Sequence, residues 1–149
     1  MASNQARAPG YWRRTLRNEQ RIPPLAFYLG LAGMAPFGVA AVASWISLPP
    51  VDPAGFCVAY SAIILAFLVG MRWRELATGA PAVVAALAAL LVPVIPGLCL
   101  LIAAFLAQAL VDIVAVEAGR MPHWQGLLRM MLAAGAVVAL ILVLARQLI

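Results

Sequence analysis

Apolar residues dominate the chain after its first two dozen positions and fall into five stretches: Leu25 to Leu48, Ala54 to Met71, Leu76 to Val92, Gly97 to Val116 and Leu127 to Leu148. Most approach the roughly 20 apolar residues with which a helix crosses a hydrocarbon core of ~30 Å. The pattern predicts an all-α, polytopic membrane helix bundle of five transmembrane helices, with residues 25–149 as one domain and residues 1–24 as a basic tail. At 1.5 Å per residue the first stretch would run about 36 Å, so tilt, a kink or an interfacial end is expected. Pro36 supplies the kink, and Gly30, Gly33 and Gly38 let another helix approach the disturbed turn.

The breaks between stretches carry turn chemistry. Pro49-Pro50-Val51-Asp52-Pro53 reads as a tight turn in which Asp52 caps the second helix and Pro53 takes its first position. Pro93-Val94-Ile95-Pro96-Gly97 reads as an uncharged turn between the third and fourth spans. Small residues four apart recur in Ala82 and Ala86, Ala85 and Ala89, Ala103 and Ala107, and Gly135 and Ala139, the pattern of compact membrane bundles. No internal repeat is visible, and an odd number of spans does not divide into two inverted halves.

Composition fits the same class: a chain 66% hydrophobic and 10% charged has too little polar surface to coat a soluble globule. Its net charge of +5 is carried by arginine with no lysine. With the N-terminus inside and the C-terminus outside, Arg7, Arg13, Arg14, Arg17, Arg21, Arg72, Arg74, Arg120 and Arg129 all lie on the inner face and only Arg146 on the other. The reverse orientation would translocate nearly all of that charge. Placed beside the spans, these arginines suit anionic membrane lipids, and no aromatic-and-basic module points to nucleic acid. The expected location is a bacterial inner (cytoplasmic) membrane, with the mitochondrial inner membrane as the alternative. The tail itself admits three readings: a cleaved secretory signal, a mitochondrial presequence, or a retained amphipathic helix. In the last, which is preferred, Arg13, Arg17 and Arg21 share one face and Arg14 adds to the charge available for a partner or an inner leaflet.

Polar residues within the spans narrow the chemistry. Asp112 lies about one turn from the inner end of the fourth span, Gln108 one turn deeper on the same face, and Arg129 enters the fifth span from the same side. An Asp112 to Arg129 ion pair that closes this hairpin is the structural expectation; a proton or ligand role for Asp112 is the functional alternative. Arg72, Trp73, Arg74, Glu75, Glu117, Arg120, His123 and Trp124 gather at the same level. They suit an interface belt, or a shallow pocket for a lipid headgroup or a quinone-like ring. His123 is the single histidine and is expected in a loop, which rules out bis-histidine haem in the bundle. Cys57 and Cys99 form no metal or thiol redox motif; two buried thiols are expected, with a disulfide as the alternative. No nucleophile, base and orienting acid fall together, so neither an enzyme nor a metal or cofactor site is expected.

Several of these residues carry a resemblance. Leu29-Gly30-Leu31-Ala32-Gly33-Met34-Ala35-Pro36-Phe37, the run from Tyr60 to Trp73, Pro81, and Asp112 with Pro122, Trp124, Leu128 and Arg129 resemble the motifs of domain-of-unknown-function family 3429, the transmembrane protein 69 family. The likeness runs from Ile22 onward. It implies a small inner-membrane protein and transfers no activity. Where that family usually has a serine, a glycine and, after the tryptophan, another glycine, this chain has Ala66, Val69 and Arg74; if the first two line a groove on the second span, the resemblance implies that it is drier and narrower here.

Two classes of function follow. The first is a non-catalytic accessory or assembly subunit that packs against other membrane-protein subunits, in a respiratory or bioenergetic complex; a homo-oligomer is a separate possibility. The second is a small transporter or proton-linked carrier using Asp112. Lipid or quinone binding at the inner-face cluster is compatible with the first.

Overall fold

The computed structural model describes residues 22–46, 52–71 and 76–149, with 76–78 as backbone alone. The described residues form five α-helices and no strand: α1 (Pro24–Ile46), α2 (Pro53–Gly70), α3 (Leu76–Leu91), α4 (Val94–Glu117) and α5 (His123–Leu148). The amphipathic tail helix, the inner-face residues 72–75 and the first residues of the Pro49–Pro53 turn lie outside the described residues.

Four helices, α1, α2, α4 and α5, are 18 to 26 residues long and apolar enough to cross a membrane. The fifth, α3, has 16 residues. At 1.5 Å per residue it spans about 24 Å, less than a ~30 Å hydrocarbon core. Side-chain size supports the membrane setting. Bulky residues such as Val39, Ile63, Phe67, Leu106, Leu110, Val138 and Ile141 are exposed, whereas Ala40, Ala62, Ala86, Ala89, Ala104, Ala136 and Ala139 fill much of the interior. A surface as apolar as the core is stable against lipid tails, and small interior residues let helix backbones approach for dispersion contact. The protein is therefore a multi-pass helical membrane bundle.

Helix α2 packs against all four other helices, while α3, α4, α5 and α1 follow one another around it. Its residues Ser61 and Leu65 are fully buried. The Ser61 hydroxyl donates to the Cys57 carbonyl at 2.6 Å, so the polar atom in the centre of the bundle is satisfied within its own helix. Two glycines set close approaches. A Cβ on Gly97 would lie 2.8 Å from the Ala89 carbonyl oxygen, which ties α4 to α3 through backbone contact. A Cβ on Gly79 would meet the Val69 side chain, so the valine on α2 fills the room that this glycine leaves on α3.

Helix ends follow capping chemistry and correct two expected boundaries. Asp52 caps α2, its Oδ1 accepting from the Gly55 amide at 3.0 Å, with Pro53 in the first turn. The uncharged break before α4 is shorter than the Pro93–Gly97 turn expected. α4 starts at Val94 with Pro96 in its first turn, where amides have no intrahelical partner and proline loses nothing. The Gly97 amide then makes an early helical bond to Pro93 at 3.0 Å. α5 starts at His123, four residues before the apolar run, because Pro122 turns the chain and accepts from the Gly126 amide at 3.2 Å. Between them, α4 ends with Gly119 at φ 67°, the left-handed conformation that costs a glycine little. The Gly119 amide returns to Val116 and the Arg120 amide to Ala115, at 3.0 and 2.9 Å, which closes a Schellman cap.

Candidate functional site

Where α2, α4 and α5 meet, three polar side chains are buried together. Gln108, Asp112 and Arg129 are 4%, 3% and 3% exposed. Gln108 and Asp112 are four residues apart and so share a face of α4; the Gln108 amide nitrogen donates to Asp112 Oδ1 at 3.2 Å. Arg129, about two turns into α5, donates from Nε to Asp112 Oδ2 at 2.7 Å. Its Nη1 donates to the Leu68 carbonyl of α2 at 3.2 Å. That carbonyl belongs to the last turn of α2, where carbonyls lack intrahelical donors, and a cation there also complements the helix dipole. One guanidinium thus links three helices, and both carboxylate oxygens are engaged. The described side chains of the cluster sum to zero charge and are shielded from solvent, which makes removal of the pair most costly when one partner is left behind.

The third guanidinium nitrogen behaves differently. Arg129 Nη2 is buried and has no hydrogen-bond partner. Arg129 also lines a cavity of about 460 Å³ between α1, α2 and α5, whose walls include Gly30, Gly33, Phe37, Phe67, Trp124 and Leu132. The α1 side of this cavity is fixed by aromatic contacts: the Tyr60 hydroxyl donates to the Gly33 carbonyl at 2.8 Å, and Phe37 meets Tyr60 and Phe105 edge to face, centroids 5.1 and 6.4 Å away.

The remaining residues of the expected inner-face cluster divide. Trp124 is half-buried beside the cavity, while Arg120 and His123 are exposed on the α4–α5 turn and the start of α5. His123 is the first helical residue and not a loop residue, for the reason given by Pro122. Arg72, Trp73, Arg74 and Glu75, and the tail arginines Arg13, Arg14, Arg17 and Arg21, lie outside the described residues. Both cysteines are free thiols; Cys57 is buried, but Cys99 is exposed and so departs from the expected buried pair. Leu98, Leu101 and Phe105 set the buried face of α4, and a residue one step from Leu98 is rotated outward by the helical period. The Leu68 carbonyl has no counterpart in the sequence reading, and neither has the cavity's extent along Gly30, Gly33 and Phe37 of α1. The former had one signal, the unsatisfied carbonyls expected wherever the second helix ends near a buried arginine.

The family described as Protein of unknown function (DUF3429) matches residues 22–145, and the chain belongs to it. No curated protein and no solved structure matches the chain. Four of the residues that carry the resemblance meet in space: Gly33 with Tyr60, and Asp112 with Arg129.

Proposed function

We propose that this member of a family of unknown function is a non-catalytic component of a larger membrane assembly, with its arginine-rich face inward in a bacterial or mitochondrial inner membrane. Another membrane subunit packs its helix against α3 and α4. The observation that carries this reading is a groove of about 260 Å³ walled by Pro81, Ala82, Ala85, Ala103 and Ala107, with Gln108 beneath. Helices associate in lipid by close contact over small residues, whereas a face that meets only lipid gains nothing from being hollow. The shortness of α3 points the same way, since a helix too short for the bilayer is matched at lower cost among protein neighbours. The expected partners are subunits of a respiratory or bioenergetic complex.

The carrier reading is less well supported. A proton-linked residue needs a route to water and a free oxygen, but Asp112 is 3% exposed and its two oxygens accept from Gln108 and Arg129.

The test is purification of the tagged chain from gently solubilised membranes, compared with a variant carrying Ala103→Leu and Ala107→Leu. Near-stoichiometric membrane subunits with the wild type, lost from a variant that melts normally, would support the reading. A lone chain, or copies of itself alone, would overturn it.

A further inference from the structure

We infer that the cavity between α1, α2 and α5 is a binding site for a neutral, planar lipophile bearing a carbonyl oxygen, a molecule of the quinone class, which accepts a hydrogen bond from Arg129 Nη2. The inference rests on the cavity and is independent of the subunit reading. Its size, about 460 Å³, lies within the range of small-molecule sites, and its walls come from three helices with Phe105 of α4 added.

Two observations choose the ligand. The first is the unpartnered donor. Arg129 is 3% exposed, lines the cavity, and has a buried Nη2 with no partner, while its Nε and Nη1 are committed to Asp112 and the Leu68 carbonyl. A buried donor of this kind favours any ligand that brings an acceptor. The second is charge. Among the described residues Arg129 is the one charge lining the cavity and Asp112 neutralises it, so a carboxylate or phosphate there would find no free cation among them, whereas a carbonyl needs none. The walls then favour a ring over an acyl chain: Phe37, Phe67 and Trp124 supply aromatic surface, and Gly30 and Gly33 supply backbone that a flat molecule can approach.

The site can be closed without touching the ion pair. A Cβ on Gly33 would meet no atom within 4 Å, so Gly33→Leu extends into open space and replaces a weak helix former by a strong one. Binding would be measured by equilibrium retention of decylubiquinone on the whole chain in phosphatidylcholine nanodiscs, with protein-free nanodiscs as the blank and oleate as competitor. Saturable retention near one per chain is expected, weakened at least about tenfold by Gly33→Leu with an unchanged melting profile, and resistant to oleate. Arg129→Lys, which keeps a cation for Asp112 and removes the guanidinium nitrogen, should also weaken retention by about tenfold. No saturable retention by folded wild type, retention indifferent to Gly33→Leu, or displacement by oleate at equal concentration would each overturn the inference.

Discussion

Removing Arg129 alone should harm the bundle far more than removing Arg129 and Asp112 together. In Arg129→Met the carboxylate of Asp112 loses its Arg129 counter-ion in a position 3% exposed, while the Gln108 amide still donates to it, and the Leu68 carbonyl loses the Arg129 donor. Stranding a buried charge in this way costs about 3–5 kcal/mol, and because both partners are buried no discount for solvent screening applies. Asp112→Leu strands the guanidinium with comparable effect. In the double variant no charge remains, and what is lost is the pairing of Gln108 and of the Leu68 carbonyl, about 1–3 kcal/mol for each buried group left unsatisfied and less where lipid or a shifted side chain relieves it. The two single effects should therefore sum to more than the double effect by several kcal/mol, far beyond the ~0.5 kcal/mol scatter of independent sites. The assay is reversible unfolding of the four proteins by sodium dodecyl sulfate in mixed micelles, followed by far-ultraviolet circular dichroism. Additive single effects, or singles that each cost less than about 1 kcal/mol, would refute the account of a coupled, desolvated pair.

Three smaller predictions test the frame around this cluster. Asp52→Ala removes the side-chain cap of α2 and should cost about 1 kcal/mol in the same unfolding assay, with Asp52→Asn close to wild type. Gly119→Val forces a β-branched residue to φ 67° and should cost about 1–2 kcal/mol, whereas Gly119→Asn should cost less. Arg120→Cys, in a background with Cys57→Ala and Cys99→Ala, places an exposed thiol on the α4–α5 turn. It should react with a membrane-impermeant maleimide only when the inner face is opened; reaction from the outer face of intact cells would reverse the proposed orientation.

The helices were legible because the cost of exposing backbone and polar groups to lipid writes long apolar runs into a sequence. The approach of Asp112 to Arg129 was legible for a related reason: two opposite charges at one depth on consecutive helices have few alternatives to each other. Other features leave weaker traces. Apolarity marks lipid contact and not helicity, so the polar first turn of α5 at His123 and the proline-bearing start of α4 at Val94 look like turns in the sequence. The outward position of Cys99 depends on the rotation of α4, which its neighbours Leu98 and Leu101 fix only through packing. The Leu68 carbonyl has no residue code at all, since every residue offers the same acceptor. A cavity is harder still, being a difference between packed volumes; Gly30 and Gly33 read equally well as places for a helix to come close, and Gly33 in fact has open space beside it.

A buried ion pair is weak evidence of stability, because hydrophobic residues of similar volume often do as well. The geometry suggests what such residues could not do. Asp112 neutralises the guanidinium and, together with the Leu68 carbonyl, fixes its orientation, and this leaves a buried, unpartnered donor on a residue that lines an apolar chamber. Methionine at position 129 would fill space but donate nothing. The double variant therefore separates architecture from ligand recognition in one protein. It should remain helical and lose less stability than either single variant, yet retain decylubiquinone about tenfold less well, the worth of one charge-assisted hydrogen bond lost from a buried site. If it binds as tightly as wild type, the pair serves only to hold α2, α4 and α5 together, and the chamber selects its occupant by shape alone.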